Sequence, residues 1–330
     1  MKILFNKANN GATELKLLTG SYYQNSNFDN IAMDIKLETE ALIKLIGAAV
    51  YSLAENYYHD ATGSYASLVE HIQLVVAYKA TYNFYQSNIV SHEDMGRKIK
   101  IDNANEKMAW EWMYDRDDHA NLQKAYQVTD RLLAFLDKSD LEAWKNSELQ
   151  KEARNLLVNN TGIFNSFYPI DNSGRFYYTV QPFISQVQQK VILPALGKTK
   201  FDALLANFKT LPATTALTLE QQNAQDAYLQ LLGLVQEAIV LLTMVKAVSR
   251  LSLKVLPDGV VQQFKSMIAS RNASQPALDA TLKIFLERLS READIAINEV
   301  KKHIAIPPVV VNDIVDLLPT NLLTTKIFRT

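Results

Sequence analysis

A glycine–lysine–threonine triplet is the feature of this sequence that comes closest to a known ligand-binding motif. It lies in "ILPALGKTKFDALL", where Gly197, Lys198 and Thr199 match the end of a phosphate-binding loop, G-x-x-x-x-G-K-[ST]. The first glycine of that motif falls on Ile192, so the chain cannot make the tight turn that points backbone N–H groups at phosphates. The preceding residues have helical periodicity, whereas the motif follows a strand. The triplet therefore does not predict a nucleotide site.

A second candidate chemistry is metal binding in "YDRDDHANL". Asp115 and His119 are four residues apart, so on a helix a carboxylate and an imidazole would share one face. One such pair supplies too few ligands for a metal site, and an acidic turn on a solvated helix explains the same residues. We keep Asp115 and His119 as weak metal candidates and expect no cofactor.

The sequence offers little for nucleophilic catalysis. It has no cysteines, which excludes disulfides and thiolate sites, and no serine lies in G-x-S-x-G. The composition, 48% hydrophobic and 21% charged, is that of an ordinary globular chain. No uninterrupted apolar run approaches the about 20 residues that span a membrane, and the one at the N-terminus is too short for a signal peptide. We expect a protein that is not an enzyme and has no membrane partner.

The charges are unevenly distributed along the chain. Net charge is −1, which gives no argument for a polyanionic partner, and we expect no sequence-specific nucleic acid binding. Residues 1–163 carry 17 Lys and Arg against 22 Asp and Glu, whereas residues 164–330 carry 17 against 13. Such halves could attract each other within one chain or head to tail between chains. Both could equally be solvated surfaces, since exposed charge pairs contribute little binding energy.

Apolar residues recur every three or four positions through most of the chain, a pattern typical of helices packed on a core. Few segments alternate as strands do. The helical pattern runs through "FDNIAMDIKLETEALIKLIG", "SYASLVEHIQLVVAYKATYNFYQ", "NEKMAWEWMYDRDDHANLQKAYQVTDRLLAFL", "TLEQQNAQDAYLQLLGLVQEAIVLLTMVKAVSRL" and residues 278–297. The predicted fold class is all-α, with a short extended N-terminus and a small β element at the chain ends.

The second half of the chain repeats the first. "ALIKLIGAAVYSLA" at 41–54 aligns with "VILPALGKTKFDAL" at 191–204. Each copy continues with a long apolar helix, a turn containing Asp and Gly, and another long helix, so we predict a tandem duplication. The aligned pairs are Phe28 with Tyr178, Met33 with Phe183, Leu37 with Val187, Leu42 with Ile192, Ile46 with Leu196, Gly47 with Gly197, and Tyr51 with Phe201.

The repeat explains the glycine of the triplet. Gly47 and Gly197 occupy the same place in the two copies, just past a helix, where glycine can adopt a positive φ and let the last carbonyls be satisfied. Ala48 and Ala49 follow the first glycine where Lys198 and Thr199 follow the second. The shared requirement is a helix stop, and the lysine is incidental.

Two parts of the chain are predicted to contact partners. Trp110 and Trp112 are two residues apart on a predicted helix, so both cannot face one core stripe, and one should point toward solvent or a partner. The last segment is too apolar to stay loose and should dock on its own body or on a neighbouring subunit, and it could pair with residues 2–5 in a small sheet. The candidates in that segment are Val309, Val310, Leu317, Leu318, Ile327 and Phe328.

The predicted domains are a first helical bundle at 1–160, a second at 161–304 and a C-terminal arm at 305–330. Polar turn residues in "VNNTGIFNS" mark the boundary between the bundles.

The order of these elements, with "VEHIQLVVAYKATYNFYQSNIVSHEDMGRKIKIDNANEKMAWEWMYD" and "AYQVTDRLLAFLD", resembles an uncharacterised family of Bacteroidota and their phages and prophages. That family is similar to the helical head–tail connector (neck adaptor) proteins of tailed phages, which form rings beneath the portal. The resemblance covers residues 13–137 and, at lower similarity, 163–303. A usual connector has one such bundle per chain, so the duplication here leaves the number of subunits in a ring open.

The resemblance implies a structural assembly protein that forms a homo-oligomeric ring and contacts other head, neck or tail proteins. It implies a location in the virion after assembly in the host cytoplasm. The alternative is a cytoplasmic helical binding or regulatory module that holds a ligand or partner in a groove between the bundles.

Overall fold

The structure is a computed structural model. It describes residues 1–20, 27–89, 91–93, 96–98, 110–210, 219–251 and 279–305. In these residues the fold is all-α and built from two copies of one helical unit, which confirms the predicted fold class and duplication.

The first half contains seven helices and a short hairpin within its described residues. The helices are α1 (Thr13–Thr19), α2 (Asp29–Ile46), α3 (Ala48–Asp60), α4 (Ala66–Ser87), α5 (Glu111–Lys138), α6 (Glu142–Lys145) and α7 (Glu148–Ala153). The hairpin pairs β1 (Ser91–Glu93) antiparallel with β2 (Gly96–Lys98), and His92 lies opposite Arg97. It lies between α4 and α5. The β element predicted at the chain ends involves the C-terminal arm, which lies outside the described residues beyond 305.

The described helices of the second half follow the order of α1–α5. Its described helices are α8 (Thr161–Phe167), α9 (Gly174–Val187), α10 (Leu193–Leu196), α11 (Lys198–Thr210), α12 (Leu219–Arg250) and α13 (Asp279–Ala305), and a π-helical turn at Gln188–Ile192 joins α9 to α10. In the first copy α4 packs against α1, α2, α3 and α5. In the second copy α12 packs in the same way against α8, α9 and α13, so α4 and α12 are the central helices.

Burial on the long helices sets the two copies in register. The buried positions of α4 recur in α12 with the same spacing, as do those of α5 in α13. The α4 and α12 pairs are Leu68 with Val235, Val69 with Gln236, Ile72 with Ile239, Ala77 with Met244, Ala80 with Ala247, and Thr81 with Val248. The α5 and α13 pairs are Asn121 with Leu289, Ala125 with Ala293, Val128 with Ala296, Thr129 with Ile297, and Leu132 with Val300.

The central helix of the second copy is apolar over most of its length. An 18-residue stretch within Gln221–Arg250 has a mean hydropathy of 1.9. By length and composition alone, this helix would suffice to cross a membrane. That stretch is 61% buried against the other helices of the chain. Such burial is typical of the core helix of a helical bundle.

The predicted alignment of α2 with α9 is wrong by one residue. Upstream of the π-helical turn the buried pairs are Phe28 with Tyr177, Ile31 with Val180, Ile35 with Ile184, and Thr39 with Gln188. Downstream, Leu42 with Ile192 and Ile46 with Leu196 match as predicted. Exposure supports the correction, because Met33 and Leu37 are exposed whereas Val187, one of their predicted counterparts, is fully buried.

The π-helical turn absorbs the extra residue of the second copy. In it the Leu193 N–H donates to the Gln188 carbonyl, which is one residue further back than in an α-helix. Pro194 follows at once, and proline has no N–H and crowds the carbonyl four residues before it. The wider turn lets the chain pass Pro194 and still bury Gln188 and Ile192 on the core side.

The two aligned glycines end helices, as their position predicted. Gly47 has φ 91° and its N–H donates to the Ile43 carbonyl, and Gly197 has φ 75° and donates to the Leu193 carbonyl. Each lies between two helices, so the positive φ turns the chain directly into α3 or α11. The aligned aromatics that follow, Tyr51 and Phe201, are both buried.

The N-terminal segment is docked by side chains, and it is not a strand in the described residues. Tyr51 Oη donates to the Lys2 carbonyl at 2.8 Å, and Gln73 Nε2 donates to the Leu4 carbonyl at 2.6 Å. Leu4 and Phe5 are buried between these contacts. The pairing proposed for this segment with the C-terminal arm lies outside the described residues, since the arm is described only at residue 305.

Candidate interaction surface and the seam between the two halves

A cluster of exposed apolar side chains occupies the start of α5. Trp110 is 71% exposed, Trp112 58%, Met113 40% and Tyr114 36%; we call these four residues the aromatic surface. The Trp110 carbonyl accepts from the N–H groups of Met113 and Tyr114, which starts the helix at this point. The sequence required only one tryptophan to point outward, and the structure exposes both.

An acidic turn follows the aromatic surface. Asp115, Asp117 and His119 are exposed and Asp118 is half-buried. The Asn121 amide donates to Asp117 Oδ2 at 3.1 Å. No three His, Asp or Glu side chains come together as metal ligands in the part of the chain that the structure describes, so Asp115 and His119 stay an isolated pair. The arm candidates Val309, Val310, Leu317, Leu318, Ile327 and Phe328 lie outside the described residues.

The two halves of the chain meet where α5 packs against α9. The contact is close, because a Cβ atom at Gly174 would lie 3.0 Å from the Leu133 Cβ atom. A larger residue there would require Leu133 to move by a few tenths of an ångström.

One carboxylate joins three elements at this seam. Asp137 Oδ1 accepts hydrogen bonds from Tyr178 Oη at 2.7 Å, Gln150 Nε2 at 2.8 Å and Trp144 Nε1 at 3.0 Å. Desolvation raises the pKa of Asp137, and these hydrogen bonds offset part of the rise. Burial and the neighbouring carboxylate raise the pKa of Tyr178, so its hydroxyl stays a proton donor. Asp137 itself remains at the surface end of the seam.

A second carboxylate on the same face of α5 holds the start of α9. Asp130 Oδ1 accepts from the Arg175 N–H at 2.8 Å, and both of its oxygens lie 3.1 Å from Ser173 Oγ. Ser173 caps α9 by accepting from the Phe176 N–H. Burial raises the pKa of Asp130, and the hydrogen bond and charge of Arg175 partly offset the rise. The Arg175 guanidinium lies 3.9 Å from the centre of the Tyr126 ring.

The segment that links the halves is fixed by side chains of the second copy. Gln188 accepts from the Leu157 N–H at 2.8 Å and donates to the Asn155 carbonyl at 2.8 Å. Gln236 Nε2 donates to the Leu157 carbonyl at 2.7 Å, and Tyr177 Oη donates to the Val158 carbonyl at 3.0 Å. These buried polar contacts satisfy the backbone of a segment that has no helix of its own.

Sequence reasoning missed Asp130 and Asp137. Their spacing of seven residues places them on one helical face, which was the available signal. Their partners are far away in sequence, and nothing in the local pattern identified Ser173, Arg175 or Tyr178.

Two concave surfaces of the described residues are shallow grooves, one in each half. The first runs along α13 and the second lies between the start of α3 and α6. The alternative hypothesis placed a ligand between the bundles, and neither of these two grooves lies there.

The described residues thus define a tandem repeat of an all-α unit, with a polar seam inside and an aromatic surface outside. The chain belongs to the DUF6712 family, described as a family of unknown function, whose model matches twice, at residues 42–154 and 192–305. One match lies in each half, in agreement with the duplication. No curated protein and no solved structure matches the chain.

Proposed function

We propose that this protein is a structural component of a phage or prophage particle, similar to a head–tail connector, and that it acts by forming a ring. Its partners are further copies of itself and other head, neck or tail proteins, and its location is the virion after assembly in the host cytoplasm. The phage and Bacteroidota origin rests on the sequence resemblance. The proposal assigns no catalytic step and no cofactor.

The aromatic surface is the observation that carries this proposal. Interfaces between proteins are enriched in Trp, Tyr and Met. Trp and Tyr combine a large apolar area with a polar group that can hydrogen-bond. Two adjacent tryptophans at 71% and 58% exposure leave a large apolar area in contact with water within one chain. Contact with a partner would remove this area from water and stabilise the assembly.

The repeat supports a closed assembly as well. Within one chain α5 of the first copy packs on α9 of the second, which is a contact between unlike surfaces of equivalent units. Contacts of this heterologous type generate rings when the rotation closes.

The face that α5 presents to α9 is not repeated in composition on α13. On α5 the seam uses Tyr126, Asp130, Leu133 and Asp137. By the register of the buried positions, these correspond on α13 to Asp294, Asn298, Lys301 and Ala305, which are exposed. A polar outer face is typical of a terminal repeat. The proposed contacts between subunits therefore use surfaces other than this seam.

Sedimentation velocity of purified protein, compared with a Trp110→Ser/Trp112→Ser variant, tests the role of the aromatic surface. We expect the wild-type chain to sediment as a closed oligomer. The dissociation constant of the variant should be about tenfold higher or more, since such aromatics dominate interface energies. The matched control is Met33→Ser/Leu37→Ser, which alters an equally exposed apolar pair on α2. A variant that sediments like the wild-type oligomer would remove the aromatic surface from the proposal.

The alternative, a cytoplasmic binding or regulatory module, predicts a different outcome of the same experiment. Such a module would sediment as a monomer and gain thermal stability with a small ligand or a partner bound between its halves.

A further inference from the structure

Three cations of the second copy lie together at the π-helical turn. Lys190 is part of the turn, and Lys246 and Arg250 are one helical turn apart on α12, which packs against it. Lys190 and Arg250 are exposed, and the Arg250 guanidinium lies 5.8 Å from the centre of the half-buried Phe183 ring. We call Lys190, Lys246 and Arg250 the basic cluster.

The charges of this cluster act on one another. Burial lowers the pKa of the Lys246 ammonium, and the charges of Arg250 and Lys190 lower it further. Among the described residues, no carboxylate forms an ion pair with any of the three. Cations that repel one another with no counter-charge raise the energy of the free chain, and an acidic partner would relieve that repulsion.

The first copy has the same lysine, with a carboxylate near it. By the register of the buried positions, Lys79 corresponds to Lys246 and Asn83 to Arg250. Glu38 of α2 accepts from the Asn83 amide at 2.7 Å. Burial lowers the pKa of Lys79, the charge of Glu38 partly offsets this, and the charge of Arg175 adds to it.

At the position of Glu38 the second copy has Val187, which is fully buried. The equivalent site therefore has no carboxylate at this position, and its lysine has two cations near it, Arg250 and Lys190, where Lys79 has Arg175. The two sites also differ in packing, since the second borders the π-helical turn and buries Val187 where Glu38 is half-buried. Three cations with no ion-paired carboxylate among the described residues point to a binding role for the second site.

The chain also carries the complementary surface. Asp115, Asp117 and Asp118 follow the aromatic surface on α5, and none has an ion-pair partner among the described residues. Arg116 lies between them, so the turn has a net charge of about −2. We call these three residues the acidic cluster. It belongs to the acidic half of the chain and the basic cluster to the basic half.

We infer that the basic cluster of one subunit binds the acidic cluster and the adjoining aromatic surface of a second copy of this chain. The inference rests on the proposed function, because it names the contact by which the ring closes. The contact is heterologous, so each subunit would use one cluster on each side. Phe183 offers the basic side an apolar neighbour for the tryptophans.

Charge reversal in both clusters, followed by sedimentation velocity, tests this contact. The variants are Lys190→Glu/Arg250→Glu and Asp115→Lys/Asp117→Lys, which change exposed residues only. We expect the dissociation constant of self-association to rise about tenfold or more in each variant, because like charges then face each other. The charge-swapped chain, with all four changes, should regain wild-type association. The control is Lys301→Glu/Lys302→Glu on α13, which should associate like the wild type.

The outcomes separate this contact from the proposed function. A wild-type chain that forms rings while both double variants also form them overturns the contact and leaves the proposed function in place. A charge-swapped chain that stays as weak as the double variants overturns the contact too. If Lys190→Glu/Arg250→Glu keeps self-association but loses binding to double-stranded DNA, the cluster is a nucleic-acid surface and the inference is wrong. A monomeric wild-type chain contradicts both.

Discussion

At the scale of single residues, the seam between the halves is held by carboxylates that accept several hydrogen bonds each. Asp130 and Asp137 lie on one face of α5, and they accept from the capping serine of α9, from a backbone N–H and from three further side chains. A partly buried carboxylate is stable only with such partners, and removing one leaves a desolvated group behind.

The Tyr178 hydroxyl should contribute measurably to the free energy of unfolding. Tyr178→Phe removes a hydrogen bond to the charged Asp137 and keeps the ring, so we expect a loss of about 1.5–3 kcal/mol in urea unfolding. Tyr57→Phe is the control, because Tyr57 also packs against the core but its hydroxyl makes no hydrogen bond in the described residues. Equal losses in the two variants would show that the Asp137 network is not stabilising.

Asp130 should give the stability a distinctive pH dependence. Its pKa is raised above 3.8 in the folded chain, so near that pH the folded state binds more protons than the unfolded chain. The stability it contributes is complete below its unfolded pKa and is lost as pH rises through the folded pKa. We expect wild-type stability, relative to Asp130→Asn, to increase from pH 7 toward about pH 4. Urea unfolding across that range measures this, and a relative stability that falls with falling pH would refute the assignment.

The contacts of the segment that links the two halves, here called the linker, can be tested in the same way. Gln236→Ala leaves the buried Leu157 carbonyl without its donor, so we expect a loss of about 1–3 kcal/mol. Gln127→Ala, at an exposed position of α5, should change stability by less than about 0.5 kcal/mol. If both variants unfold at the same urea concentration, Gln236 does not hold the linker.

At the scale of helices, most of the fold was predictable. The three- and four-residue period located α2, α4, α5, α12 and α13, and the aligned glycines fixed the ends of α2 and α10. The predicted alignment of α2 with α9 was wrong by one residue, because apolar periodicity alone does not distinguish neighbouring registers of an amphipathic helix. Pro182 and Pro194 were visible, but only burial on both sides of the π-helical turn revealed the extra residue.

Deleting that extra residue is therefore expected to be tolerated. Without Gln189, and with Pro194→Ala to permit a regular helix, the buried positions before and after the turn take the spacing that they have in α2. The matched control is deletion of Glu40, which follows Thr39 as Gln189 follows Gln188. Because α2 has no π-helical turn to absorb the change, this deletion rotates Leu42 and Ile46 by about 100° away from the core.

Thermal unfolding followed by circular dichroism compares the two deletions. We expect the Gln189 deletion to keep one cooperative transition near the wild-type temperature. The Glu40 deletion should lose several kcal/mol, about the cost of exposing two large aliphatic residues. The reverse order would contradict the one-residue shift between α2 and α9.

At the scale of the whole molecule, duplication has produced two units that share a core pattern and differ in surface charge. The first unit has Glu38 near Lys79 and carries the acidic cluster, whereas the second carries the basic cluster. Sequence counts gave the charge difference between the halves. They could not show which cations meet, because Lys190 and Arg250 come together only through the packing of α12 on the π-helical turn.

Electron microscopy of the purified wild-type protein is the most direct test of the central claim that this chain works by assembling through its surfaces. The account predicts closed rings of uniform diameter, which disappear in the Trp110→Ser/Trp112→Ser variant. Particles of the size of a single 37.2 kDa chain at every concentration, alone and mixed with the products of neighbouring genes, would contradict it.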